Sequence, residues 1–233
     1  MIHHQSPITH HGFFVTGTDT GVGKTVVACA LLHAFAARGL RAAGMKPVAA
    51  GAERAGGELQ NADVQALLAA ANVTAPRELV NPYCLAQPIA PHIAAAQDGT
   101  AISLDRIEHC YRELRARGNV VIVEGVGGFK VPLGPHVDSG DLAVRLALPV
   151  VLVVGLRLGC LNHALLTAEA IAARGLTLAG WVANHIDPNM DAVDENVAAL
   201  RERLPAPPIA RIAFATQIDP RAIASQLDLN ALR

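Results

Sequence analysis

The chain has 233 residues, of which 52% are apolar and only 3% aromatic, and its formal net charge is −1. This composition predicts a core of Ala, Val, Leu and Ile, as in parallel α/β proteins. The near-neutral charge does not predict a basic surface that would bind nucleic acid or an anionic membrane. No apolar run approaches the length of a membrane span, so neither a nucleic acid nor a membrane is expected as a partner.

The N-terminus and the cysteines indicate the compartment. The first residues, MIHHQSPITHHG, lack the apolar core of a signal peptide, and we expect residues 1–11 to form a mobile arm. Four cysteines are widely scattered without a C-x-x-C pair, which predicts reduced thiols in a cytoplasmic protein. No break in composition marks a linker, so residues 12–233 are predicted to form a single domain.

Residues 12–25, GFFVTGTDTGVGKT, have the order strand, glycine-rich turn, Gly-Lys-Thr and helix. The apolar residues 12–16 predict a buried strand. After Thr25, apolar residues recur on one face of a helix that ends before Gly39. This order is the context in which a Gly-Lys-Thr triplet indicates a phosphate-binding loop.

The chemistry of this loop follows from small residues and unpaired backbone groups. Glycines allow backbone N–H groups to approach a phosphate, and the first N–H groups of a helix have no partner within it. Lys24 adds a charge for the β- and γ-phosphates, and Thr25 adds a hydroxyl for Mg2+. The usual G-x4-G-K-[ST] pattern would have glycine at Thr18, whereas here the glycine is Gly17.

A second short strand, within residues 40–48, is predicted to end at Lys46, because Pro47 disfavours the helical region for the residue before it. Ligands bind at strand exits in open α/β sheets, so Lys46 either contacts a ligand or is a structural lysine. The local sequence alone favours the structural interpretation.

The next stretch is predicted to be largely irregular. Residues 49–60 lack periodicity and predict a mobile loop. Asn61 can cap a helix over residues 63–73, with Asp63 in its first turn, where an acid favours the helix dipole. Residues 76–92 contain four prolines, so we expect an irregular segment that wraps a site.

Residues 119–128, NVVIVEGVGG, predict a buried strand that ends at Glu124 and runs into glycines. A helix capped by Ser103 should precede it. A carboxylate at a strand exit beside a phosphate loop can hold Mg2+ directly or through water. An ordinary surface glutamate is the alternative, but the earlier phosphate loop favours the metal role.

The rest of the chain continues the alternation of strands and helices. Asn184 lies at a strand exit, where it either reads a nucleobase edge or serves as a turn residue. The predicted elements are a helix capped by Asp138 or Ser139, a strand over 150–155, a helix within 159–174, a strand over 176–184, a helix over 189–203, a strand over 209–214 and a weak final helix. This alternation predicts a parallel sheet with helices on both faces, whose strand exits gather at one edge.

Seven segments, in order along nearly the whole chain, form a set that a phosphate loop alone would not supply. They are GTDTGVGKT (17–25), GMKPVAAG (44–51), NPY (81–83), PHIAAAQ (91–97), VIVEGVGG (121–128), LPVVLVVGLRLGCLNHALLT (148–167) and LAGWVAN (178–184). This set resembles the dethiobiotin synthetase family of P-loop NTPase-like ligases, which also has the shifted first glycine.

The resemblance implies an ATP- and Mg2+-dependent cyclo-ligase of biotin biosynthesis. Its substrates would be 7,8-diaminononanoate (diaminopelargonate) and CO2 or bicarbonate. One amine would capture CO2 as a carbamate, ATP would convert the carbamate to a carbamic-phosphoric anhydride, and the second amine would close the ring. The products would be dethiobiotin, ADP and phosphate, and the protein would be a homodimer.

The family motifs also imply roles for individual residues, and they reverse the structural interpretation of Lys46. The residues expected to act on the reacting groups are Lys46, Lys24 and Thr20. Those expected to hold Mg2+ are Thr25, Asp63 and Glu124. Those expected to contact the substrate are Lys46, Ala50 and Gly51. Those expected to bind the nucleotide are Gly21, Val22, Gly23, Lys24, Thr25, Val26, Glu124, Gly125, Val126, Gly127, Asn184, His185, Ala213, Phe214 and Ala215.

Two residues depart from the family pattern. The family often has Glu at the position of Gly21 and Ser at the position of Ala50, so an acidic contact and a hydroxyl contact are missing here. Backbone groups near Gly51 are expected to replace the second.

Two other functions share the fold. Nucleotide-switch ATPases of the partition and septum-placement kind normally have a second lysine near the start of the loop, but residues 17–20 are Gly, Thr, Asp and Thr. Amide-forming ligases of corrinoid synthesis commonly add a glutamine-hydrolysing domain with a reactive cysteine, and no Cys-His pairing is evident here.

Overall fold

A computed structural model describes residues 12–232, so the arm expected over residues 1–11 lies outside the described residues. The strands, in chain order, are β1 (Gly12–Gly17), β2 (Ala42–Met45), β3 (Val48–Ala50), β4 (Glu53–Ala55), β5 (Glu58–Gln60), β6 (Tyr83–Leu85), β7 (Val120–Glu124), β8 (Pro132–Gly134), β9 (Val137–Asp138), β10 (Val150–Leu156), β11 (Leu178–His185) and β12 (Pro208–Ile212). The helices are α1 (Lys24–Ala37), α2 (Ala62–Ala70), α3 (Arg77–Val80), α4 (Pro91–Gln97), α5 (Leu104–Arg117), α6 (Ser139–Leu146), α7 (Cys160–Ala173), α8 (Val193–Arg203) and α9 (Pro220–Ala224), followed by a 3-10 turn at Leu229–Ala231. Within residues 12–232, no helix has both the length and the apolar character needed to cross a membrane.

Six parallel strands form the central sheet, in the order β12, β11, β10, β1, β7, β2. β1 lies between β10 and β7, with Phe14 aligned to Val150 on one side and to Val123 on the other. The central strands are apolar along their length because neither face of the sheet is left to solvent. The α/β fold class predicted from the sequence is confirmed.

Neighbouring residues of β1 belong to opposite sides of the sheet. Phe14 lies in the same apolar layer as Ile107 of α5 and Ile171 of α7. Phe13 lies in the other layer, where its ring stacks on that of Phe35 in α1 with centroids 5.9 Å apart. This alternation is the two-residue period of a strand, and it places helices on both faces as predicted.

The predicted apolar face of α1 is buried, but the buried surface of the helix is wider than that face, and only a stripe that includes Val26, His33 and Ala37 stays at least partly exposed. The buried apolar residues of the helix are Val27, Ala28, Cys29, Ala30, Leu31, Leu32, Ala34 and Phe35. The sheet covers one side of α1, while α2 and α9 pack against it as well. A periodicity within residues 24–37 cannot report that a segment near the C-terminus returns to cover the helix.

Residues 49–60 contain strands where a structureless loop was expected. β3 pairs with β6, and β4 pairs with β5 as an antiparallel hairpin. The hairpin turns at Gly56 and Gly57, which have positive φ values of 62° and 86°. Two-residue hairpin turns require such angles, so the Gly-Gly pair was a turn signal that the lack of apolar alternation concealed.

The proline-rich segment 76–92 also contains regular structure, which corrects the prediction that it is irregular. It forms α3, β6 and the start of α4. Pro76 is the N-cap of α3, and Pro91 is the first residue of α4. Proline is tolerated there because an N–H in the first turn would have no helical partner. These prolines begin short helices instead of preventing them.

The remaining predicted elements are present, with ends moved by a few residues. The helix expected over 189–203 begins at Val193, and the strand expected over 209–214 ends at Ile212, so residues 213–215 lie in the following loop. The four cysteines are all free, in agreement with the prediction of reduced thiols.

Helix α6 has the strongest cap that the sequence predicted. The Asp138 carboxylate accepts from the Asp141 N–H at 3.0 Å, and the Asp141 carboxylate accepts from the Asp138 N–H at 2.8 Å. Asp138 also pairs with Arg174 at 2.6 Å, and both side chains are largely buried. The next residue, Ser139, accepts from the Val131 N–H at 3.0 Å, which ties the start of α6 to the chain after β7.

We expect Asp138→Ala to lower the free energy of unfolding by about 2 kcal/mol, because it removes the cap and one of the two carboxylate partners of Arg174, the other being Asp141. Asp105→Ala is the matched control, since Asp105 lies in the first turn of α5 and pairs with Arg145 on the surface. That variant should change the free energy by about 0.5 kcal/mol or less. Urea denaturation followed by circular dichroism measures both, and equal losses would contradict the role assigned to the cap.

Candidate active site

Three adjacent strands carry chemically active residues to one edge of the sheet. β1 leads into the glycine-rich loop, Lys46 directly follows β2, and Glu124 is the last residue of β7. Because β1, β7 and β2 are parallel neighbours, their carboxyl ends share an edge. The structure brings the loop, Lys46 and Glu124 together there.

The buried carboxylate of Glu124 contacts Thr25, which follows the loop after β1, and Lys46, which follows β2. Its Oε1 accepts a hydrogen bond from Thr25 Oγ1 at 2.8 Å and pairs with Lys46 Nζ at 2.5 Å. Lys46 Nζ also pairs with Asp63 Oδ2 at 2.9 Å. Burial acts to lower the pKa of Lys46, but the charges of Glu124 and Asp63 outweigh it and raise that pKa. Lys46 is therefore held as an ammonium between two carboxylates.

The donor chemistry of this cluster fits Mg2+. Magnesium in proteins is bound by one or two carboxylates, with phosphates and water as the other ligands. Asp63 and Glu124 supply the carboxylates, Thr25 supplies a hydroxyl, and within residues 12–232 the buried Oε2 of Glu124 has no hydrogen-bond partner. No group of three or more His, Cys, Asp or Glu side chains in the described chain is arranged to hold a metal.

Lys24 is folded back on the loop that precedes it. Its Nζ donates to the main-chain carbonyl of Asp19 at 2.8 Å, and the residue is 6% exposed. Burial, with a smaller effect from the nearby charge of Lys46, lowers the pKa of Lys24 to about 8. A phosphate at the start of α1 would stabilise the ammonium and would be a stronger acceptor than a neutral carbonyl.

An open cavity of about 890 Å3 lies over this edge of the sheet, a size typical of small-molecule sites. Many residues predicted from the sequence line it. They are Thr20, Gly21, Gly23, Lys24, Thr25, Val26, Lys46, Ala50, Asp63, Glu124, Val126 and Gly127.

A second group of predicted residues lies outside this wall. Asn184 Nδ2 donates to the Val22 carbonyl at 2.8 Å, and the His185 ring meets the ring of the half-exposed Phe214 edge-on, with centroids 6.0 Å apart. The predicted residues that do not line the cavity are Val22, Gly51, Gly125, Asn184, His185, Ala213, Phe214 and Ala215. The Asn184 contact joins this group to the phosphate loop.

Three parts of the site had no residue-specific role assigned to them from the sequence. Residues 88–91 and 130–132 form part of the cavity wall, and the Asp19 carboxylate pairs with Arg157 Nη2 at 2.5 Å. The first segment belongs to the proline-rich stretch that was expected to wrap a site. Asp19 was visible as the one acid of the loop, whereas Arg157, 138 residues away, had no local signal.

Comparison of the sequence finds close relatives. A family model described as an AAA domain matches residues 11–222. The ATP-dependent dethiobiotin synthetase BioD of Aromatoleum aromaticum is 57% identical over 93% of this chain and 96% of that protein. The proteins with the same description from Janthinobacterium sp. (strain Marseille) and Nitrosospira multiformis are 53% and 54% identical, over 94% of this chain and 94% and 95% of theirs.

Comparison of the structure finds more distant chains with the same fold. The MinD cell division protein of Aquifex aeolicus matches with a TM-score of 0.58 at 16% identity over 95% of both chains. A ParA family ATPase from Chlorobium tepidum TLS matches with a TM-score of 0.52 at 13% identity over 88% of this chain and 85% of that chain. These identities are low enough that the likeness shows a shared P-loop fold and nothing about activity.

Gly23→Ala and Gly21→Ala form a matched pair of tests for the loop. Both glycines have positive φ, 91° and 74°, so alanine strains the backbone at either position by about 1–2 kcal/mol. Only at Gly23 would the new Cβ collide, because it would lie 2.3 Å from Asn184 Nδ2, whereas nothing lies within 4 Å at Gly21. Gly23→Ala should therefore lower Tm more than Gly21→Ala does, and it should weaken ATP binding at least about tenfold more. Calorimetric titration with ATP measures this, and equal effects would show that the contact with Asn184 is unimportant.

Proposed function

The chain belongs to the AAA domain family and, within it, to the ATP-dependent dethiobiotin synthetases, and we propose that it converts 7,8-diaminononanoate, CO2 and ATP to dethiobiotin, ADP and phosphate. The observation that carries this proposal is the 53–57% sequence identity to three such synthetases, over nearly the whole length of this chain and of each relative. The cluster of two lysines and two carboxylates at the edge of the sheet supports it, because phosphoryl transfer depends mainly on positioning and charge neutralisation.

The proposed reaction has three steps. One substrate amine adds to CO2 and loses a proton, which gives a carbamate. The carbamate oxygen takes the γ-phosphoryl group of ATP, which releases ADP and leaves a carbamic-phosphoric anhydride. The second amine then attacks the carbonyl carbon, the C–O bond to phosphate breaks, and the cyclic urea forms with loss of a proton.

The loop residues support binding of the triphosphate. The unpaired N–H groups at the start of α1 and the glycine backbone offer donors to phosphate oxygens. Lys24 would leave the Asp19 carbonyl for the β- and γ-phosphates, and Thr20 would contact the carbamate or the transferred group. The exchange is favourable because an anion is a stronger acceptor for an ammonium than a carbonyl.

Thr25, Asp63 and Glu124 would hold Mg2+, which when bound neutralises charge on the phosphates. This assignment requires Lys46 to change partners, because its ammonium pairs with both carboxylates. Lys46 would move from these acids to the carbamate and the transferred phosphoryl group, where charge develops. The lysine thus balances the two acids before the nucleotide arrives and acts on the reacting groups afterwards.

The remaining assignments are proposals carried over from the family. Ala50 and Gly51 would lie beside the substrate, with backbone groups in place of the hydroxyl that Ala50 lacks. Asn184, with His185 and the loop over residues 213–215, would bind adenine. We also propose a homodimer in the cytoplasm. Exposed apolar side chains at the start of and along α7, Leu158 and Leu166, support a face that a second copy could cover.

Incubation with ATP, Mg2+, labelled bicarbonate and diaminononanoate should give a labelled cyclic urea with one ADP and one phosphate for each ring. ADP should not form at a comparable rate when the diamine is left out, because the phosphoryl acceptor is then missing. Lys24→Met should reduce the rate by about 100-fold or more. Rapid ATP hydrolysis without the diamine, and no labelled product with it, would contradict a ligase and favour a nucleotide switch.

Lys46→Met should separate the two roles of this lysine. Without nucleotide, Mn2+ should bind the variant at least about tenfold more tightly than the wild type, because the carboxylates of Asp63 and Glu124 lose a competing cation. Electron paramagnetic resonance measures free Mn2+ directly. With all substrates, kcat should fall by about 100-fold or more while ATP affinity changes by less than about threefold.

Lys24→Met is the matched control for the metal titration, because the Lys24 ammonium contacts a carbonyl and neither carboxylate. It should change Mn2+ affinity without nucleotide by much less than Lys46→Met does, because the Lys24 charge acts on Asp63 and Glu124 only at a distance. Unchanged Mn2+ affinity together with unchanged kcat in Lys46→Met would return Lys46 to a structural role.

A further inference from the structure

We propose that Arg157 is a positioning residue for the phosphate loop, which it serves by neutralising and holding the carboxylate of Asp19. The proposal rests on the proposed binding of a nucleoside triphosphate to this loop. Arg157 directly follows β10 and belongs to none of the groups assigned above.

A carboxylate in a phosphate-binding loop opposes the binding of phosphate. Asp19 is the single acidic residue in the loop sequence GTDTGVGKT, and its main-chain carbonyl is the acceptor of Lys24 Nζ at 2.8 Å. The Asp19 charge is near enough to Lys24 to raise the pKa of that ammonium. An uncompensated carboxylate there would repel the triphosphate and attract the lysine that should bind it.

Both oxygens of Asp19 are occupied. Oδ2 pairs with Arg157 Nη2 at 2.5 Å, and Oδ1 accepts from the Thr20 N–H at 2.7 Å. These donors, the Thr20 N–H first and the Arg157 guanidinium with it, hold the pKa of Asp19 below its usual range. Asp19 is therefore charged at neutral pH, and Arg157 is the cation paired with it.

The anchor of this pair is the end of a central strand. β10 runs beside β1, the Thr18 N–H donates to the Val153 carbonyl at 3.0 Å, and the Gly155 N–H donates to Thr18 Oγ1 at 3.3 Å. The contact of Arg157 with Asp19 extends these contacts between β10 and the loop by one more residue of the loop. The first residues of the loop are thus attached to one rigid strand, and the arginine supplies the charged contact of the series.

Equilibrium binding of ATP with Mg2+, measured by calorimetry for the whole protein, tests the pair through a double-mutant cycle. A partly exposed ion pair contributes modestly and the freed carboxylate adds repulsion, so Arg157→Met should weaken ATP binding roughly three- to tenfold. The KM for ATP should rise more than kcat falls. Arg157→Lys should retain most of the affinity, because it keeps the charge.

The double variant Arg157→Met with Asp19→Asn decides the mechanism. It should bind ATP within about twofold of the wild type, because the charge that Arg157 balances has been removed and the Asn oxygen can still accept from Thr20. A merely structural role of Arg157 would not be rescued in this way. Arg145→Met, which breaks a surface pair with Asp105 and Glu108 on α5, is the matched control and should leave ATP affinity unchanged.

Wild-type affinity in Arg157→Met, or a double variant as weak as Arg157→Met, would overturn the inference. Either result still requires a wild type that binds ATP, so it leaves the proposed function standing. A wild type without measurable ATP binding would instead contradict the nucleotide site itself.

Discussion

The pairing of Lys46 with Glu124 and Asp63 is the interaction on which the rest of the site depends. Glu124 and Lys46 are almost completely buried, and a buried charge without a partner is several kcal/mol less favourable than one in water. Glu124 and Lys46 therefore need each other whenever no ligand is present, and the partly exposed Asp63 is a second partner of the lysine. Lys24 also interacts electrostatically with Glu124 and Asp63. This edge of the sheet therefore carries two ammonium groups and two carboxylates, whose charges nearly cancel. At such a site a divalent cation would offset part of the negative charge that a polyanion brings.

The sheet order makes this pairing possible. β7 lies between β1 and β2, so the strand that ends in Glu124 is flanked by the strands that deliver the phosphate loop and Lys46. The chain crosses from β1 to β2 and later returns to fill the place between them, so residues nearly a hundred positions apart come into contact. The MinD cell division protein and a ParA family ATPase share this fold, and because a fold does not determine an activity, the side chains at the strand exits must do so.

Local patterns in the sequence predicted the parts of this structure that local forces determine. The strand before the phosphate loop, the Asn61 and Ser103 caps and the exit position of Glu124 all follow from the residues next to them. The contact of Lys46 with Asp63 did not follow, because an acid in the first turn of a helix has a sufficient local explanation in the helix dipole. The pair of Asp19 and Arg157 had no signal at all, since only the adjacency of β1 and β10 creates it. The hairpin over residues 53–60 was missed for the opposite reason, because a readable Gly-Gly turn was outweighed by strands without an apolar face.

The close approach of Gly23 to Asn184 has a consequence for how the nucleotide preference of this protein could change. The Asn184 amide lies against the glycine at the start of α1 and donates to the carbonyl just before it. A larger side chain at position 184 would press on the backbone at Gly23. Under the proposed assignment of Asn184 to adenine, base selectivity and triphosphate binding therefore cannot be altered separately. Evolution or engineering toward another nucleoside would have to proceed through coordinated replacements at both positions, or through the loop near Phe214, whose residues are exposed.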